Sequence, residues 1–137
     1  MATRAEILSR LRDSMDLVNR QLERVTEEQM TESVTWHEAQ FNVRFMFYRI
    51  LAHEVEHTVH LIKTLGALGV AQSEAQVILS KIQASQGELE GLVVGLSDED
   101  LDRSPGEGEW SPRQVLEHVI DVQGRYTQRV VEALENK

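Results

Sequence analysis

Apolar residues along the chain recur at helical rather than strand spacing. Thr3 and Glu6 stand at the separation of a capping box, and Ile7, Leu8, Leu11, Met15, Val18, Leu22 and Val25 follow at steps mostly of three and four. This predicts a first helix, ending near the short capped turn Thr26-Glu27-Glu28-Gln29-Met30. A polar loop through Trp36 is expected next, then a long helix from about Asn42 to Leu65, stopped by Gly66 and Gly69. Ser73 with Gln76 opens a third helix carrying Ile78, Ile82, Leu89, Leu92 and Leu96, which closes into Ser97-Asp98-Glu99-Asp100-Leu101. The segment Ser104-Pro105-Gly106-Glu107-Gly108 reads as a loop. Beyond it Ser111 serves as N-cap, Pro112 takes the first helical position and Gln114 completes a capping box, starting a fourth helix. No stretch shows the period-two alternation of a strand. The expectation is an all-α, four-helix bundle forming one domain over residues 1–137.

The halves of the chain resemble one another. Val25-Thr26-Glu27-Glu28-Gln29-Met30 parallels Leu96-Ser97-Asp98-Glu99-Asp100-Leu101, and Ile50-Leu51-Ala52-His53 parallels Val115-Leu116-Glu117-His118. Two pseudo-symmetric helical hairpins related by a twofold axis would set His53 and His118 at equivalent depths.

Composition narrows the function. A chain of 137 residues and 15.6 kDa suffices for one core, since a domain of that size buries roughly 70% of the surface of its unfolded chain. Acidic residues outnumber basic ones 23 to 14, a formal charge of -9, and no basic block interrupts them. Attraction to nucleic acid or to anionic lipid is therefore not expected. Cysteine is absent, which excludes disulfides, thiolate metal ligands and a protein-borne thiol nucleophile. The first residues lack a charged-then-apolar signal pattern and no apolar run reaches about eighteen residues, so a soluble cytoplasmic protein is expected.

The histidines carry the chemistry. Along the second helix Met46, Ile50, His53, His57, His60 and Thr64 form a stripe that reads as core-facing, with Phe47, Leu51, Thr58, Leu61 and Leu65 beside it. On the fourth helix Val115, His118 and Val122 form a similar stripe, so His118 is expected to face the interior. His53 and His57 are four residues apart, a spacing that places both side chains on one helix face within reach of one ion. A single inward histidine is ordinarily a neutral, hydrogen-bonded core residue. Three converging imidazoles in a dry interior would compete for partners, whereas coordination satisfies their nitrogens directly. Three neutral imidazoles leave a fourth position open on zinc, and imidazole also suits nickel or iron. His60 is a further candidate, either replacing His53 or contacting a ligand from outside. His37 falls in the polar loop and reads as solvent-exposed.

Residues 53 to 57 also match H-E-x-x-H, in which Glu54 would act as the base of metal-dependent hydrolysis. Peptidases of that kind need a neighbouring strand to align substrate, and the extended motif needs glycine where this chain has His60. Glu54 with His57 supplies one Glu-x-x-His pair of a diiron carboxylate bundle. A second is missing, because Glu117 directly precedes His118.

Leu96 to Leu101, then Gly108-Glu109-Trp110-Ser111-Pro112-Arg113-Gln114-Val115-Leu116-Glu117-His118, together with Ile50-Leu51-Ala52-His53-Glu54-Val55-Glu56-His57, make the chain resemble the DinB and YfiT superfamily of bacterial four-helix bundles over nearly its whole length. Carried over by position, the resemblance implies a metal triad of His53, His57 and His118. In typical members the single histidine precedes the pair; here it follows, an order that a pseudo-twofold exchange of the halves would tolerate. The resemblance further implies one divalent metal, often zinc or nickel, and in some relatives thiol-dependent transfer or isomerisation with a low-molecular-weight thiol as cosubstrate. A thiol deprotonated by the ion's charge would attack a small electrophile, in keeping with a chain without cysteine. Arg44, Arg49 and Arg125 are candidates for an anionic cosubstrate, and Glu54 for a catalytic base. The rival expectations are a non-catalytic bundle whose exposed face forms a homodimer, and a hydrolase using Glu54.

Overall fold

Helix starts in this chain are set by side chains that accept hydrogen bonds from backbone N–H groups lacking a partner within the helix. In the computed structural model, which describes residues 1–136, Thr3, Ser73 and Ser111 each accept from the N–H three residues on. The side chains of Glu6, Gln76 and Gln114 accept in return from the N–H of the cap, completing three capping boxes. These open α1 (Arg4–Leu22), α3 (Glu74–Leu92) and α5 (Pro112–Glu135) at the predicted positions. Asn42 caps α2 (Val43–Ala67), its side-chain oxygen accepting from the Phe45 N–H at 2.8 Å. The far end of α2 closes on Gly69, whose φ of 68° is the left-handed conformation glycine adopts without steric cost. Val70 N–H donates to the Leu65 carbonyl and Gly69 N–H to the Gly66 carbonyl, the two bonds of a Schellman stop. Gly66, expected to help end the helix, lies inside it.

The two short capped turns parallel each other as the sequence implies. Thr26 accepts from the Gln29 N–H ahead of a 3-10 turn, Gln29–Thr31, and Ser97 accepts from the Asp100 N–H at the start of α4 (Asp98–Leu101). In each half the second residue of the long helix that follows is an arginine paired with an acid from the preceding turn. Arg44 reaches Glu27 at 4.0 Å, and Arg113 grips Asp102 with Nε at 2.6 Å and a second nitrogen at 3.3 Å. The caps set the two histidines at different positions along their own helices. His53 lies eleven residues beyond Asn42 and His118 seven beyond Ser111, a difference of about 6 Å along a helix.

The polar loop before α2 is instead an antiparallel hairpin of β1 (Ser33–Trp36) and β2 (Ala39–Asn42), a small sheet in a chain that is otherwise mostly helical, in keeping with the expected all-α class. Val34 pairs with Phe41 on one face, where both are half-buried, and the Phe41 ring stacks on Phe45 of α2 at 4.3 Å. On the other face Ser33 donates to the Gln40 side-chain oxygen and the Gln40 amide donates to Thr35, both at 2.7 Å. The two-residue turn, His37-Glu38, has φ of 48° and 63°, the left-handed pair of a type I′ turn without its usual glycine.

The chain divides into two compact units, Met1–Val94 and a second beginning at Gly95. In the first, α2 packs against the 3-10 turn and β2; in the second, α4 packs against α5. These contacts produce no buried apolar core among the described residues, where only Ser111, at 6% exposure, is buried. The apolar stripes read as core-facing are accessible: Leu11 and Leu51 are each 66% exposed, Leu61 58% and Val115 41%. His53, His57, His60 and His118 are likewise exposed, where the sequence pattern placed them inward. The stripe on α2 exists as its spacing dictates, but no packed element of its own unit covers it.

Two outcomes follow. Replacing His37-Glu38 by Asn-Gly relieves two left-handed non-glycine residues and should raise stability by about 1 kcal/mol in urea denaturation. The Asp102 carboxyl is held below its ordinary range first by the hydrogen bond from Arg113, which outweighs the opposing desolvation, with a smaller lowering by that residue's charge. Because its folded pKa is depressed, the pair's contribution is present above the ordinary aspartate value of about 3.9 and is lost as pH falls through the lower folded value. Asp102→Asn should flatten that acid limb of the stability profile and leave stability near neutral pH less sensitive to salt, read by thermal melts over a pH and salt series.

Candidate metal-binding histidines

The middle of α2 carries three histidines within two turns. The His53 and His57 rings meet edge to face with centroids 4.3 Å apart and planes at 65°. The His57 and His60 rings lie 5.4 Å apart at 42°, and their Nδ1 atoms approach to 3.2 Å. All three are exposed along one side of a 25-residue helix, whose hydrogen-bonded backbone fixes their spacing. The donor set consists of neutral-capable imidazoles without thiolate, which suits zinc, nickel or copper rather than calcium or magnesium. The facing nitrogens of His57 and His60 are close enough for one ion to be shared.

Glu54, the candidate base, is exposed; its backbone carbonyl accepts from the Thr58 hydroxyl at 2.9 Å. Within neither unit, among the described residues, do three metal-ligating side chains gather around one point.

In the second unit His118 stands on the second turn of α5. Its ring meets the Trp110 indole at 4.9 Å and 60°, an edge contact that links the residue before the cap to the helix face. Periodicity treats Trp110 only as part of a loop, because a contact across a helix start depends on the cap's backbone conformation. One turn on, Asp121 pairs with Arg125, and its carboxyl is held below the ordinary range first by that hydrogen bond, with a smaller contribution from the charge of His118. The acidic group one turn beyond His118 on the helix is therefore ionised and arginine-bound.

The candidate anion-binding arginines differ. Arg125 and Arg44 are engaged by Asp121 and Glu27, whereas Arg49 is exposed with no carboxylate partner among the described residues. His37, expected to be exposed without a role, is exposed but occupies the hairpin turn, its ring edge-on to Trp36 at 4.5 Å.

No helix among the described residues is long and apolar enough to cross a membrane. A search of the curated proteins and of the solved structures found no match to the chain. A family model does match, that of the DinB superfamily, over residues 81–136. This stretch contains the end of α3, all of α4 and α5, Trp110 and His118, and excludes His53 and His57 on α2. It is narrower than the near full-length resemblance read from the sequence, and it falls on the capped Trp-Ser-Pro start of the last helix. Over residues 81–136 the chain is therefore similar to the DinB superfamily.

Proposed function

We propose that the protein binds one divalent metal ion, zinc or nickel, through His53, His57 and His118, and uses it in thiol-dependent transfer or isomerisation of a small electrophile in the cytoplasm. The observation that carries this reading is the His53–His57 pair on one face of α2, 4.3 Å between ring centroids. It is supported by the superfamily match, which covers His118 and the helix start before it. When bound, such an ion lowers the pKa of a coordinated thiol and supplies the nucleophile that a cysteine-free chain lacks. The chain's own residues would do the rest. Three imidazoles hold the ion and leave a position open; Arg49, the arginine without a carboxylate partner, attracts an anionic cosubstrate. Glu54 is one residue from His53 and is the candidate proton acceptor.

A second reading rests on the open apolar stripes. A polypeptide with no buried apolar residue among the described residues has large unsatisfied hydrophobic surface, which favours a non-catalytic bundle completed by a second copy. The hydrolase reading through Glu54 is the weaker enzyme alternative, because the one hairpin stands before α2 and its outer face is polar.

Elemental analysis of protein prepared without a histidine tag should find about one zinc or nickel per chain, and His118→Ala should abolish that retention. Metal-free protein whose melting is unchanged by added zinc or nickel, and which sediments as a dimer, would replace this reading with the structural one. Turnover of an electrophile panel should cease when the low-molecular-weight thiol is withheld. Turnover that continues without thiol and drops in Glu54→Gln would assign hydrolysis instead.

A further inference from the structure

We propose that His57 and His60 form a chelating pair for a divalent transition-metal ion through their two Nδ1 atoms, a ligand site built on α2 alone. The proposal rests on the reading of α2 as the metal-bearing helix, but it needs no contribution from α5.

The separation of the two Nδ1 atoms is the central observation. They face each other at 3.2 Å. Two imidazole nitrogens that each lie about 2.0–2.1 Å from one zinc-sized ion, at an angle between square and tetrahedral, are roughly 2.8–3.4 Å apart. The observed distance falls inside that window with no movement of the helix. Residues three apart are neighbours on a helix surface, so the backbone of a 25-residue helix holds the bite. The geometry at His53 is different: its ring meets His57 edge to face, a contact between ring surfaces rather than an approach of two lone pairs.

Protonation states reinforce the contrast. Without an ion, two Nδ1 atoms at this distance require one ring to donate and the other to accept, which forces opposite tautomers on neighbouring residues. With an ion both rings take the same tautomer, each directing a lone pair from Nδ1 at the metal and leaving its Nε2 proton to solvent. The exposure of both rings leaves the ion's remaining positions free for water or a small ligand. Glu54 and Glu56 lie close in sequence and the chain carries a net charge of -9, so the surroundings favour a cation. Imidazole donors select zinc, nickel or copper over magnesium or calcium.

The test is calorimetric titration of the full, tag-free chain with zinc, nickel and copper chloride, each alone, comparing His53→Ala, His57→Ala, His60→Ala and His118→Ala. The four side chains are exposed, and circular dichroism confirms that helix content is kept. His57→Ala and His60→Ala should each weaken binding by more than the 10- to 100-fold typical of residues that merely support a ligand. If His57→Ala and His60→Ala lose binding while His118→Ala binds as the parent does, the pair on α2 stands and the triad reading fails. If His60→Ala binds normally while His53→Ala, His57→Ala and His118→Ala do not, the pair is overturned and the triad stands. Loss in all four variants upholds both, and absence of binding by the parent overturns both. Nitrogen-detected NMR of the zinc-loaded chain supplies an independent readout: a metal shift on Nδ1 of His57 and His60 is expected, and a shift on Nε2 of either would refute the chelate.

Discussion

Everything chemical in this chain depends on where each long helix begins. A helix advances about 1.5 Å and 100° per residue, so once the cap is placed the depth and direction of every later side chain are determined. Asn42 and Ser111 make that choice for α2 and α5. A start displaced by one residue would rotate His118 by some 100° and part it from Trp110. The acid pair Asp102–Arg113 strengthens the choice in the second unit, since it joins the end of α4 to the second residue of α5 and holds Pro112 at the position its ring favours. The analogous Arg44–Glu27 contact is longer, and there the hairpin ladder extends to the helix, with Val43 N–H donating to the Glu32 carbonyl at 2.9 Å.

Legibility followed the range of the interaction concerned. The three capping boxes, the glycine stop at Gly69 and the paired short turns depend on residues three to five apart, and their side-chain types announce them. The hairpin did not announce itself. Its strands are four residues each, too short for alternation to stand out, and its turn uses His37-Glu38 where asparagine and glycine would be the usual signal. Phe41 stacking on Phe45 is what makes the hairpin worth forming, and that contact crosses from strand to helix. The helical spacing located the histidine stripe on α2 correctly. It did not reveal whether the stripe is covered, because burial depends on other elements and not on the residues of the stripe.

The same distinction separates the histidines. Spacing of four made His53 and His57 the natural pair, while His60 at spacing three looked secondary. Helix geometry treats the two spacings as nearly equivalent neighbours, and ring orientation decides between them. His57 turns Nδ1 toward His60 and meets His53 edge to face, so it belongs to both contacts. It is the one residue that the superfamily-based triad and the chelate on α2 both require.

An exposed apolar face and an exposed chelating group on one helix also constrain each other. Burying α2 against a second element would desolvate His57 and His60, and unpaired imidazole nitrogens in an apolar contact cost free energy unless a partner satisfies them. An ion satisfies two at once and keeps both rings neutral. Its charge also reduces the repulsion that a net -9 per chain sets against any association of two copies. Metal binding and assembly on this face are therefore not independent alternatives: an ion held by the histidines lowers the cost of covering Ile50, Leu61 and Leu65 beside them, and covering those residues lowers the dielectric in which the ion is held.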